Sequence, residues 1–172
     1  MKTLNVADPP DTMKTYSNEL KNGKFVDNYK DIGPGVNILL QRAKIIMQPK
    51  DTIMVFPEGV MLNYLLRKSN PTPYINFAPP ELLMFGEDNM IAAMNNNKPD
   101  IVIIVHQNWG DVYKIQHYGK DIKYGRRIME WIHKNYKTVE INLNEPLKDD
   151  NFGIKIMRRN DEKPLLSTTG IK

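Results

Sequence analysis

Five consecutive β-branched residues, Ile101-Val102-Ile103-Ile104-Val105, leave this chain few architectures. Such side chains are stiff at χ1 and favour extended backbone. The run does not alternate with polar residues, so both of its faces must be covered, as in an inner strand of an α/β sheet. A second apolar run, 52–56, ends abruptly in Pro57-Glu58-Gly59, and a helix-capable segment begins at once. That layout brings a strand to the carboxyl-end rim of a sheet, where α/β folds hold their ligands.

The rest of the pattern alternates helix with strand. Val36, Leu39, Leu40, Ala43, Ile46 and Met47 recur at helical spacing, with Asn37, Gln41, Arg42 and Lys44 largely on the other side. Residues 59–68 read as a helix that is apolar almost all round and so tucked against the sheet. Pro71, Pro73, Pro79 and Pro80 make 69–80 a loop, with Asn70 as a turn former. One helical turn at 81–85 and a short helix at 87–95 come next. Residues 124–136 form a helix with Ile128, Trp131, Ile132 and Tyr136 on one face. Residues 137–143 read as a half-buried strand with Val139, Ile141 and Leu143 inward and Glu140 and Asn142 outward. Residues 152–158 alternate as well, and 144–151 make a hairpin-like return.

This order predicts an α/β fold, a three-layer sandwich with a small mixed sheet flanked by helices. Its central strands are expected to be parallel and its last pair an antiparallel edge pair. Residues 1–34, broken by Pro9-Pro10 and Pro34-Gly35 and with a short element near 15–20, read as an irregular lead-in. Residues 35–159 form a single domain, and 160–172 a polar tail.

At 172 residues one domain can bury a real core. The absence of cysteine removes disulfide, zinc-thiolate and thiol-nucleophile chemistry. The net charge of +4 is spread along the chain, with only the short pairs Arg126-Arg127 and Arg158-Arg159, so a nucleic-acid partner is not expected. No apolar run approaches the roughly 18 residues that cross a bilayer, and the first twenty residues hold no signal core, so the chain as given is expected to be soluble. His106, His117 and His133 lack metal-ligand spacing, and no dinucleotide or phosphate loop is present, so no metal and no cofactor are expected.

Glu58 ends the first strand. It is either a ligand-contacting carboxylate or base at the rim, or a charge set against a helix dipole, worth about 0.3–1 kcal/mol. Asn63, Tyr64 and Arg67 lie on the next helix, Asn63 and Arg67 sharing a face that suits either a sugar hydroxyl or anion, or the pinning of the proline-rich loop. Asn70 opens that loop. His106 closes the long strand, ahead of Gln107, Asn108 and Trp109, and strand order puts it on the same edge as Glu58. A Glu58–His106 pair would suit acid–base work on a sugar or ester, but no nucleophile motif accompanies it and no catalytic set is complete. Gly110, Gly119 and Gly125 with Tyr113, Tyr118 and Tyr124 form an aromatic, glycine-rich loop region that suits carbohydrate stacking or simply covers a core edge.

Phe56-Pro57-Glu58-Gly59-Val60-Met61-Leu62-Asn63-Tyr64, then Arg67, Asn70-Pro71-Thr72-Pro73-Tyr74, Pro79-Pro80-Glu81, Pro99-Asp100-Ile101-Val102, Tyr124-Gly125 and Trp131-Ile132-His133-Lys134-Asn135-Tyr136 resemble the C-terminal soluble region of certain large bacterial membrane proteins. Those proteins look like polyprenyl-phosphate-sugar-dependent glycosyltransferases, similar to the protein O-mannosyltransferase and aminoarabinose transferase group. The likeness spans about residues 24–159. It implies an extracytoplasmic domain placed after a bundle of membrane helices, with a glycan or polyprenyl-phosphate sugar as ligand. It also implies that the acidic catalytic residues belong to the membrane part, so no catalytic residue carries over. Without hydrophobic spans of its own, the chain is expected to be either an excised domain or a free-standing relative. The other readings are a small enzyme using Glu58 and His106, and a domain that only packs on its partner.

Overall fold

Strands β1 (Ile53–Phe56) and β2 (Ile101–Val105) run parallel, with Ile53 beside Ile101 and Phe56 beside Ile104. The computed structural model describes residues 32–107, 109 and 113–160. Strand β4 (Gly153–Arg159) lies antiparallel against β2, and β3 (Tyr136–Leu143) lies antiparallel against β4, giving the order β1-β2-β4-β3. The sheet is mixed as expected, a parallel pair joined to an antiparallel pair. In that order β1 takes one margin and β4 enters between β2 and β3.

Successive strand residues point to opposite faces, which explains a run without alternation. Ile53, Val55, Ile101, Ile103, Ile154 and Ile156 pack against α1 (Ile32–Ile46) and Leu62 of α2 (Met61–Leu66). Met54, Phe56, Val102, Ile104 and Met157 pack against the other helical layer: α3 (Pro79–Phe85), α4 (Glu87–Asn96) and α5 (Arg126–Asn135). Each large apolar side chain so buried contributes about 1.5–3 kcal/mol relative to exposure. The result is a three-layer α/β domain.

The amino end of the sheet is closed by structural bonds. Asp100 Oδ2 accepts the Thr52 N–H and hydroxyl, both at 2.8 Å, and the Tyr136 hydroxyl donates to Pro99 O at 2.8 Å. Trp131 Nε1 donates to Asn95 Oδ1 at 2.8 Å, tying α5 to α4. On the α1 side, Arg158 Nη2 donates to Ile46 O at 2.6 Å and to Asp51 Oδ2 at 3.1 Å, joining the end of α1 to β4.

Several boundaries differ from the sequence pattern. Helix α1 covers Ile32–Ile46 of the described residues, so Pro34-Gly35 lies within it and is not a break. Gly35 is needed because a Cβ would lie 2.7 Å from Phe152 Cε1. Helix α2 buries only Leu62, while Met61 and Tyr64 stay 52% and 65% exposed, so it is one-sided rather than tucked in.

Strand β3 inverts its expected faces. Val139, Ile141 and Leu143 are 44–46% exposed, whereas Asn142 is buried. Alternation fixes spacing but not phase. Tyr136 is anchored in the core, and a bulge between Thr138 and Glu140 re-aims the rest of the strand. Glu140 then meets Arg42 of α1, which donates from Nε to both carboxylate oxygens at 2.8 Å. Asn160, read as the start of the tail, closes β4 by donating to Asn135 O and Lys134 O. The lead-in through residue 31, including the element near 15–20, and the tail from 161 lie outside the described residues.

Candidate functional site at the carboxyl end of the sheet

Because β1 and β2 are parallel and in register, the segments after Phe56 and Val105 emerge side by side, bringing Glu58 and His106 to one rim. The loop at 69–80 returns to the same place. Phe77 N–H donates to Pro57 O at 2.8 Å, and the Phe56 and Phe77 rings lie 4.3 Å apart. Just beyond, Asn76 donates to Glu81 Oε1 at 3.1 Å and accepts the Ala78 N–H at 3.1 Å.

The sequence candidates do not all gather there. Helix α2 runs back along β1, so its end lies near the start of that strand, where Ile53 N–H donates to Ser69 O at 3.0 Å. Asn63 Nδ2 donates to Ile53 O and Lys68 O at 3.0 and 3.2 Å. Arg67 closes α2 in a left-handed conformation (φ 54°), its guanidinium 4.6 Å over the Tyr64 ring. Asn70 accepts the Thr72 N–H at 2.9 Å and donates to Tyr74 O at 2.7 Å, a local Asx-type turn. Asn63, Arg67 and Asn70, with Tyr64 stacked on Arg67, thus belong to the α2 end and not to the Glu58 rim. Asn63 and Asn70 spend their amides on backbone carbonyls, which is the pinning reading.

His106 is also committed. It is buried, its Nδ1 accepts the Leu147 N–H at 3.3 Å, and its ring lies 5.9 Å from that of His117. Burial first, and then His117, holds its pKa below the ordinary value against the opposing pull of Asp150 and Asp149. The charges that act on it come from His117 and from the β3–β4 connection, not from Glu58. Its Nδ1 therefore anchors that connection and is not a free base paired with Glu58.

Glu58 is exposed and makes no hydrogen bond or ion pair with another described residue. Nor does any side chain cap α2. Its negative charge reaches Tyr124: burial, then Glu58 and then Tyr113 push that hydroxyl well above its ordinary pKa. Tyr113 is exposed, and its ring lies 5.8 Å from that of half-buried Trp109. Tyr124 and Tyr118 meet edge to face at 5.0 Å.

Trp109 Nε1, Tyr124 Oη, Tyr118 Oη, His117 Nδ1 and Glu81 Oε2 are buried without a hydrogen-bond partner among the described residues. Leaving such an atom unpaired costs about 1–3 kcal/mol, so folded chains keep few of them. Trp109 packs on the exposed Tyr113, and Tyr124 feels the charge of the exposed Glu58. The exposed members of this group, Tyr113 and Glu58, can stack a flat apolar face and accept hydrogen bonds from hydroxyls. The group contains no nucleophile and no acid–base pair.

Glu58 and Trp109 were legible as candidates, whereas Tyr113 and Tyr124 stood out only through the glycine and tyrosine spacing of their loop. That spacing has a steric cause: Gly125 has φ 74°, and a Cβ on it would lie 2.1 Å from Tyr118 Cε2. Glu81 gave no signal beyond its place after two prolines. Asn108 and Gly110 lie outside the described residues. Among the described residues no group of three or more acidic or histidine side chains is arranged to hold a metal, and no helix is long and apolar enough to cross a membrane. Compared with protein-family models, curated proteins and solved structures, the chain matches none.

Proposed function

We propose that this chain is an accessory, extracytoplasmic α/β domain of a glycosyltransferase-like membrane protein, and that it binds a glycan acceptor or the sugar head group of a lipid-linked donor without catalysing transfer. The observation that carries the reading is the Glu58, Trp109, Tyr113 and Tyr124 group. An exposed carboxylate on the same rim as the Trp109–Tyr113 ring pair, with an indole N–H and a phenol left without a described partner, suits a ligand with one apolar face and a rim of hydroxyls. The resemblance over residues 24–159 supports the membrane-protein context and the sugar class. The commitment of His106 Nδ1 to Leu147 favours binding over acid–base catalysis.

Heteronuclear NMR titration of the chain with neutral oligosaccharides and with a short-chain polyprenyl-phosphate sugar tests this. Saturable shifts at Glu58, Trp109 and Tyr113, lost in Glu58→Ala and Trp109→Ala, are expected. Absence of shifts, or equal shifts in those variants, would leave a domain that only packs on its partner.

A further inference from the structure

A concavity lies between α5, the turn after Tyr118 and the β3–β4 connection. It encloses about 360 Å³, near the lower end of the range for small-molecule sites. Its apolar floor comes from Ile104, Met129 and Leu147, with Pro146 and Gly119 beside them. Its polar lining is unbalanced: Lys120, Arg126, Lys148 and Lys155 against Glu130 and Glu145. Glu145 is already spent on an ion pair with Lys155, whose side chain is only 13% exposed. Lys120 is steadied by donating to Lys148 O at 3.0 Å, and neither it nor Arg126 is in an ion pair among the described residues. Lys148 has the charged Asp149 next to it, which also accepts the Asn151 N–H at 2.9 Å and so meets only part of the basic lining.

We propose that this cavity is an anion site for a small phosphate ester, its phosphate held by Lys120, Arg126 and Lys148 and its organic part lying on the Ile104–Leu147 floor. The site is separate from the Glu58 rim and does not rest on it. A phosphate is favoured because three cations converge on one opening over an apolar floor of about monosaccharide size. The side chains must supply the recognition. The N–H groups of Gly125, Arg127 and Ile128 at the start of α5 are already taken by the Glu87 carboxylate, at 3.2, 3.1 and 3.1 Å. His133, beside Lys155, has its pKa held below the ordinary value by burial and by that lysine's charge.

Titration with inorganic phosphate, a hexose 1-phosphate and the neutral hexose, read by NMR, tests the proposal. The expected result is shifts at Lys120, Arg126 and Leu147 with both phosphates, tighter for the ester, and none there with the neutral sugar. A Lys120→Gln/Arg126→Gln variant should weaken the ester about tenfold. The charge-matched Lys44→Gln/Lys50→Gln variant on the opposite layer should not. Equal weakening by both variants, unchanged binding in the first, or shifts confined to other surfaces would overturn it. Failure of the Glu58 rim to bind neutral glycans would leave this result unaffected.

Discussion

The Glu87 carboxylate, at the first turn of α4, accepts the Gly125 N–H at 3.2 Å and so holds the entry to α5. The same side chain takes the N–H groups of Arg127 and Ile128, each at 3.1 Å. One acidic residue thereby satisfies three donors that a helix start leaves without partners. It also fixes the Tyr118–Tyr124 turn beside the rim.

Glu87→Ala should lower unfolding free energy by about 2–3 kcal/mol, since hydrogen bonds to a charged acceptor are the strong ones. Glu87→Gln should cost less, about 1 kcal/mol, because one oxygen remains as acceptor. Urea denaturation of the three proteins checks the ranking.

Gly125→Ala should cost about 3 kcal/mol or more. The new methyl would lie 2.1 and 2.3 Å from Tyr118 Cε2 and Cζ, at a backbone φ of 74°. Left-handed strain and overpacking each contribute about 1–3 kcal/mol. The double variant Gly125→Ala/Tyr118→Ala should recover the overpacking part but not the strain. A thermodynamic cycle separates the two.

Arg158→Ala should destabilise by about 3–5 kcal/mol, because it leaves Asp51 buried and without its cation. Arg158→Met paired with Asp51→Leu should cost far less, since both charges go together. Thermal unfolding measures the difference.

Stability should fall with acid near neutrality. The pKa values of His106 and His133 are held below the ordinary 6.5, in each case mainly by burial. The unfolded chain therefore takes up protons first, and stability is intact above about pH 6.5 and declines as pH drops toward the folded values. His106→Asn keeps an acceptor for the Leu147 N–H yet cannot titrate, so its denaturation midpoint should change less between about pH 7.5 and 5.5 than that of the parent.

Much of this architecture was legible because burial on both faces writes a distinctive run. Ile101–Val105 could only be an inner strand, and 52–56 ending at Pro57 could only deliver Glu58 to an edge. The phase of β3 was not legible. Val139, Ile141 and Leu143 carry the right spacing for a core face, but the anchor at Tyr136 and the one-residue bulge depend on long-range partners. The site was half legible for a similar reason. Asn63 and Arg67 looked like rim residues because they come soon after Glu58, yet α2 carries them back along β1 to its other end. Tyr124, far away in sequence, is the hydroxyl whose pKa the Glu58 charge helps to raise.

The two tryptophans provide the sharpest test of the Glu58 rim. Trp131 Nε1 is bonded to Asn95 at 2.8 Å, whereas Trp109 Nε1 is buried without a described partner. Titrating a neutral oligosaccharide while tracking both indole N–H resonances should move the Trp109 signal saturably and leave that of Trp131 still. An unmoved Trp109 signal at saturating sugar, or equal movement of both, would contradict a glycan seat beside Glu58.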